Sequence, residues 1–468
     1  MASANVGEQQ APESAIRKVA LTACAATSIE WYDFFIYGTA AALVFPALFF
    51  PDSSPLAGTL LSFSTFAVGF VARPIGGAIF GHFGDKVGRK KALVTALLMM
   101  GVATMLIGLL PSFATIGVLA PILLVVLRFT QGLAVGGQWG GAVLLATESA
   151  PKHRRGFYGS FAQIGVPVGV ILANLTFLLV SSATGDAFAV WGWRIPFLLS
   201  AVLIGIGMYI QLKLEDTPAF RHLQEYREQH QTEEEREEAR VAAEAQKSPI
   251  IDAFREYPKE IMLAAGAFIA INANFYIFIT FIIAYGTNPD ILGMEQSTLL
   301  AAVLIASVFQ IPALLFFSAV SDKRGRRGIY MVGAVLLGIW SFAFWPLVNT
   351  ESFILIVVAL VVGQLFLSMM YGPQAAFYAE IFTTRVRYSG ASLGYQIGSI
   401  FGGALAPLIA TALLARYGSS LAISIYMAAV CAITCLCVFL LSETYESDMD
   451  DVKTASEREA AGTTGQTT

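Results

Sequence analysis

The chain has 468 residues, of which 56% are hydrophobic and only 13% charged, with 34 Phe, 42 Gly and a formal net charge of −4. That balance is far more apolar than a soluble domain of this length carries, so a soluble protein is excluded and no nucleic-acid partner is expected. About twelve apolar segments are each long enough to cross a ~30 Å hydrocarbon core at ~1.5 Å per helical residue.

In chain order the segments are placed at 18–48, 56–83, 91–110, 116–147, 157–181, 190–213, 259–286, 297–321, 328–348, 352–379, 389–415 and 420–442. The polar stretch 1–15 lacks the basic start, short apolar core and cleavage site of a signal peptide, so the first segment is expected to remain as a helix. That segment carries "SIEWYDFFIYG", in which Glu30, Asp33 and Tyr37 share one helical face while Trp31, Phe34 and Phe35 turn elsewhere. Asp33 lies about 22 Å beyond Lys18 along the axis, near mid-membrane. An ionisable group there costs at least ~2.5–3.5 kcal/mol on insertion scales and commonly marks an ion or substrate path.

The second segment holds Arg73 before Pro74, and the fourth collects Arg128, Gln131, Val135, Gln138 and Trp139 into one stripe interleaved with glycines that admit a close neighbour. Gln163 stands in the fifth, within "GSFAQIGVPVG". Residues 215–258 are densely charged in both signs and read as a solvated loop between a bundle at 16–214 and another at 259–442, with a polar tail at 443–468. The second bundle offers amides and phenols instead of charges: Asn272, Asn274, Tyr276, Gln310, Gln364, Tyr371, Gln374 and Tyr378. These supply donors and acceptors for hydroxyl and carbonyl groups, although an interhelical hydrogen bond is an equal reading for any one of them.

Basic residues cluster in alternate loops, at Arg17-Lys18, Lys86 to Lys91, Lys152 to Arg155, 213–259, Lys323 to Arg327 and Arg385-Arg387. The positive-inside rule makes that side the cytoplasm and places both termini there. The opposite loops keep only Arg194 and Arg416, which leaves Arg73 and Arg128 as the bases within the membrane. The four cysteines, Cys24, Cys431, Cys435 and Cys437, lack metal or redox spacing and are expected to be packing residues. No histidine or cysteine is placed to serve a nucleophile or a metal within a helix, which argues against an embedded enzyme.

The halves repeat. "GHFGDKVGRKK" after the second segment matches "SAVSDKRGRRG" after the eighth, aligning Asp85, Gly88 and Arg89 with Asp322, Gly325 and Arg326. "ESAPKHRRG" and "EIFTTRVRYSG" align Glu148 with Glu380 and Arg155 with Arg387. At these residues the chain resembles the major facilitator superfamily, whose G-x-x-x-D-[RK]-x-G-R-[RK] signature is complete from Gly81 to Lys90, whereas Ser318 replaces the leading glycine of the second copy. Within it, "IEWYDFFIYG", "ARPIGG", "RFTQGLAVGGQWGGA" and "WGWRIPF" are similar to the metabolite:proton symporters, the shikimate-like branch above all.

The resemblance implies an all-α membrane protein of twelve transmembrane helices in two six-helix bundles. It implies uptake of a small organic carboxylate with protons across a bacterial inner membrane by a monomer whose partners are substrate, proton and lipid bilayer, with no cofactor or metal. It carries proton coupling to Asp33, with Glu30 as a second candidate, and pairs Asp33 with Arg128. It gives Gly81, Asp85, Gly88, Arg89, Glu148, Arg155, Asp322, Arg326, Glu380 and Arg387 a cytoplasmic gate. The alternatives are static burial of Glu30 and Asp33 against Arg73 and Arg128, import of a zwitterionic osmolyte or a dicarboxylate, and proton-antiport efflux, for which the glycines around Pro167 are the support.

Overall fold

A computed structural model describes residues 13–87, 89–136, 146–147, 150–215, 249–382 and 386–445. Among them the regular elements are all helical. The principal helices are α1 (Glu13–Leu43), α2 (Pro55–Val87), α3 (Arg89–Leu109), α4 (Leu119–Gly136), α5 (Arg155–Thr184) and α6 (Arg194–Glu215). After residues outside the described set come α7 (Pro258–Thr287), α8 (Gln296–Arg324), α9 (Arg326–Val348), α10 (Phe353–Ile381), α11 (Arg387–Tyr417) and α12 (Ser420–Leu440). Among the described residues nine of these helices are long and apolar enough to cross a membrane, and Val94–Leu109 and Arg194–Tyr209 are shorter apolar stretches. A short helix, Pro249–Glu256, lies inside the stretch read as charged loop.

The outward faces are apolar: Val190, Phe316, Ile339 and Ile354 are each more than 60% exposed. An apolar surface of this kind on a bundle with a buried polar interior is suited to lipid. The inner faces pack tightest where glycine replaces a side chain. On α2 and α4, a Cβ on Gly76 would lie 1.9 Å from the Leu133 carbonyl oxygen and one on Gly136 1.9 Å from that of Arg73. The α4 glycines therefore serve α2, and this close approach fixes the helices that carry both buried arginines. Gly165 and Gly169 of α5 do the same for α1, where a Cβ would come within 2.6 Å of Thr27 and 2.7 Å of Trp31. Where Ser318 stands in place of the signature glycine, α10 supplies the small residue: a Cβ on Gly372 would meet Ser318 Oγ at 2.7 Å.

Helices α1–α6 meet α7–α12 along α5 with α8, α2 with α11, and α1 with α7. Nearly all of α7 is buried, more than of any other long apolar helix among the described residues. Both α7 and α11 contain one wide turn, at Ile277–Phe281 and Ile400–Ala404. Such π-type turns interrupt the regular ladder and occur often at functional sites.

Candidate functional site

Between the two sets of helices lies a small cavity with ≈ 10 Å³ of water-accessible space, lined among others by Trp31 of α1, Val166 of α5, Asn272 and Tyr276 of α7, Tyr371 of α10 and Tyr395 of α11. That holds about one water and no organic substrate. Gln163 of α5 spans the interface beside it: its Nε2 donates to the Tyr371 carbonyl at 3.0 Å and to Gln374 Oε1 at 2.9 Å. Asn272 donates to Ser399 Oγ at 3.0 Å.

The aromatic face of α1, not its acidic one, looks toward this cavity. Phe34 is the centre of the arrangement. The Arg73 guanidinium carbon lies 4.2 Å from the Phe34 ring centroid and that of Arg128 4.0 Å, and each arginine has further ring neighbours. Arg73 also faces Trp31 at 5.2 Å and Phe70 at 4.6 Å. Arg128 faces Tyr37 at 4.1 Å and Phe66 at 4.8 Å. Both are buried, and Nε and Nη2 of each have no hydrogen-bond partner. Aromatic faces attract a desolvated cation by up to about 2 kcal/mol, but they do not satisfy its N–H groups. Two buried cations with open donors thus share the Phe34 ring. Arg73 is the nearer to the cavity, since Trp31 lines it and the Tyr276 hydroxyl lies within hydrogen-bonding reach of Arg73. Gly69 makes room for Arg128: a Cβ there would lie 2.6 Å from its Nε.

The acid behaves differently from the expectation of direct pairing. Asp33 is fully buried and accepts a hydrogen bond from Ser200 Oγ of α6 through Oδ1, while Oδ2 has no partner. Arg128 donates through Nη1 to Gln131 Oε1 at 3.0 Å, so no Asp33–Arg128 ion pair forms in this state. Asp33 points into the interior of α1–α6, toward Ser200 of α6, and Arg128 turns to Gln131 and the Phe34 ring. Tyr37 donates to Thr65 Oγ1 at 2.7 Å, and Glu30 is half-buried one turn before Asp33.

Of the other expected binding residues, Asn274 turns to α12, donating to the Ala270 carbonyl at 2.9 Å with Cys431 beside it. Tyr378 donates to the Ala264 carbonyl within α7–α12. Gln310 is buried with neither amide atom partnered. Gln138 and Trp139 lie outside the described residues. Ser200, Phe34, Phe66, Phe70 and Tyr395 were not singled out by the sequence; a hydroxyl or a phenyl ring in an apolar run has no signature of its own.

The expected gate is partly described. Gly88 and Glu148 lie outside the described residues, and of Gly81, Asp85 and Arg89 only the helical backbone is described. The second copy is complete. Arg326 bonds Asp322 at 2.6 Å and Glu380 at 3.1 Å, while Gly325 takes φ +92° to turn α8 into α9. Glu443 accepts from the backbone N–H of Arg326 at 2.8 Å and of Arg327 at 3.0 Å, and Thr444 donates to Glu380 at 2.8 Å. Asp322 also crosses the interface, its two oxygens accepting at 2.8 Å from the backbone N–H of Gly156 and of Phe157 at the start of α5. Arg155 is half-buried and Arg387 buried near this end. A carboxylate on a helix N-terminus is favoured by charge and by otherwise unpaired N–H groups. Asp322→Ala removes both charge-assisted bonds across the interface, about 1.5–3 kcal/mol each, together with the bond from Arg326. It is expected to lengthen the distance between spin labels at His153 and Lys323, both exposed, in a cysteine-free background. An unchanged distance distribution assigns closure to other contacts.

A family model described as "Sugar (and other) transporter" matches residues 19–455. The chain belongs to this family of the major facilitator superfamily. It is 40% identical over 441 residues to the inner membrane metabolite transport protein YhjE of Escherichia coli strain K12, covering 93% of this chain and 96% of that one. To the shikimate transporter of the same organism it is 39% identical over 440 residues, covering 92% and 95%. To its proline/betaine transporter it is 32% identical over 397 residues, covering 84% and 77%. The partially occluded, inward open structure of the xylose transporter XylE from E. coli superposes with a TM-score of 0.67 at 17% identity, covering 93% of this chain and 100% of that one; at that identity the likeness is one of fold. This member of the sugar transporter family is thus an integral, multi-pass secondary transporter, and its relatives are transporters rather than enzymes.

Proposed function

We propose that this protein imports a small hydroxylated organic carboxylate, shikimate or a related acid, together with a proton, by alternating access in a bacterial inner membrane. In this reading twelve helices cross the bilayer in two six-helix bundles, both termini are cytoplasmic, the protein works as a monomer, and the proton is its coupling ion. The observation that carries it is the pair of buried arginines with open donors around Phe34, beside a cavity lined by phenols and an amide. The arginines receive the carboxylate; Asn272, Tyr276 and Tyr371 face the hydroxyl groups. The relatives named for metabolite and shikimate transport support the same class.

A dicarboxylate is the second reading, because two cations rather than one stand at the site. Efflux is a third reading; the glycines around Pro167 that suggest it pack against α1. A thermal-shift panel of mono- and dicarboxylates and betaine on purified protein decides among them, because a ligand of the native state stabilises it by mass action. Shikimate is expected to raise the melting temperature, and a pH difference, acid outside, to drive its uptake into proteoliposomes. A shift with betaine alone replaces the hydroxylated acid by a zwitterionic osmolyte as the substrate.

A further inference from the structure

Asp33 and Arg128 do not touch, yet a continuous line of buried side chains runs between them. Arg128 Nη1 donates to Gln131 Oε1 at 3.0 Å, and Gln131 Nε2 donates to Thr104 Oγ1 of α3 at 2.6 Å. Thr104 Oγ1 stands beside the Asp33 carboxylate, whose Oδ2 has no formed partner. Thr104 donates its one proton to the Met100 carbonyl at 2.8 Å. The amide orientation is dictated by chemistry: a guanidinium only donates, so the Gln131 oxygen faces Arg128 and its nitrogen faces Thr104. The Thr104 oxygen is therefore held as an acceptor, and its proton is free to choose between the Met100 carbonyl and Asp33.

We propose that Thr104 is the positioning residue through which the charge on Asp33 sets the hold on Arg128, the proton site and the anion site being joined by two neutral side chains and not by an ion pair. The inference rests on the proton-symport reading above. When Asp33 is ionised, Oδ2 draws the Thr104 proton away from Met100, because a charged acceptor outcompetes a neutral carbonyl. Donating to an anion makes the Thr104 oxygen a better acceptor for Gln131, and Gln131 in turn a better acceptor for Arg128; such chains strengthen by roughly 10–30% per bond. A proton arriving on Asp33 from water returns the Thr104 hydroxyl to Met100, slackens the chain and leaves Nη1 of Arg128 open to a substrate carboxylate. No proton crosses Thr104; its hydroxyl only rotates.

Other ionisable groups surround this line without interrupting it. Tyr32 adjoins Asp33, and the Tyr37 ring faces Arg128. Arg73, with Tyr276 in reach, stands across Phe34, and Glu30 is one turn before Asp33 on α1.

The deciding experiment needs no substrate. Thermal unfolding of purified wild type, Thr104→Val, Asp33→Asn and the double variant is compared at neutral pH. Thr104→Val is expected to lower the melting temperature by several degrees with Asp33 present and by clearly less in the Asp33→Asn background; equal decrements in both backgrounds overturn the proposal. Gln131→Met breaks the line one link further on and is expected to show the same dependence on residue 33, so the test survives a Thr104→Val protein that does not fold. With shikimate as probe, Thr104→Val keeps equilibrium exchange but loses the rise in apparent affinity on acidification, and Thr104→Ser, which retains the hydroxyl, restores it. A Thr104→Ser protein that behaves as Thr104→Val does assigns Thr104 to packing and sinks the idea. If wild type fails to take up shikimate with protons, the symport reading falls, and the substrate-free comparison still decides whether Asp33 and Arg128 are joined through Thr104.

Discussion

Asp33→Asn is expected to abolish accumulation of shikimate against its gradient while exchange of bound for free substrate continues. With one proton carried per molecule, each pH unit supplies about 1.4 kcal/mol, a tenfold accumulation ratio; the variant should level at a ratio of about one. The fold should survive, because the introduced amide still accepts from Ser200 through its oxygen and can donate to Thr104 through its nitrogen, and both hydroxyls surround the carboxylate now. Counting charge at the site gives the driving force. Empty and deprotonated, it holds Arg73, Arg128 and ionised Asp33; loaded, a monoanion takes the place of the charge that the proton removed from Asp33. The two legs then carry equal charge, so uptake should follow a pH difference and hardly respond to voltage, which would otherwise supply ~2.3 kcal/mol per net charge at ~100 mV. Proteoliposomes with the pH difference clamped at zero and a potassium–valinomycin potential imposed test this. Strong voltage-driven uptake that vanishes in Glu30→Gln makes Glu30 a second coupling acid, and full accumulation by Asp33→Asn removes Asp33 from the proton path.

The residues legible in the sequence were those whose chemistry clashes with a bilayer. Asp33, Arg73 and Arg128 stood out because charge is costly there, and the nine long apolar helices were readable from hydropathy because backbone groups in lipid must bond internally. Helical spacing also put Asp33 and the pair Trp31 and Phe34 on different faces. What it left open was which face meets the cavity, since that depends on the neighbours of α1, and the answer is the aromatic one. Thr104 and Ser200 were invisible for a related reason: hydroxyls in apolar helices ordinarily bond the carbonyl one turn back, as Thr104 does to Met100, and nothing in the sequence marks the ones with a second duty. Nor do Ile277–Phe281 and Ile400–Ala404 announce their wide turns.

Arg73→Lys and Arg128→Lys are expected to fail in different ways, although both keep a positive charge. A lysine ammonium lacks the planar fork that lies over Phe34 while presenting N–H groups at its edge, so each exchange loses ring contact and bidentate recognition together. Arg73 shares Trp31 and Tyr276 with the cavity, so on the proposed reading it is the cation an entering carboxylate is expected to meet first. Its replacement should weaken shikimate binding by about tenfold or more, a loss of ~1.4 kcal/mol or greater, by the same factor at acidic and at neutral pH. Arg128 shares the same ring and is held by Gln131, so on the proposed coupling through Thr104 its availability changes with the state of Asp33. Arg128→Lys should therefore cost most at acidic pH and flatten the pH dependence of the dissociation constant, with accumulation lost as in Asp33→Asn. Calorimetric titration of shikimate into the two variants across the pH range separates the roles. Equal, pH-independent losses make the arginines one undivided anion site. A binding defect confined to Arg128→Lys moves the substrate carboxylate to α4 and leaves Arg73 as the residue that holds α2 against the aromatic face of α1.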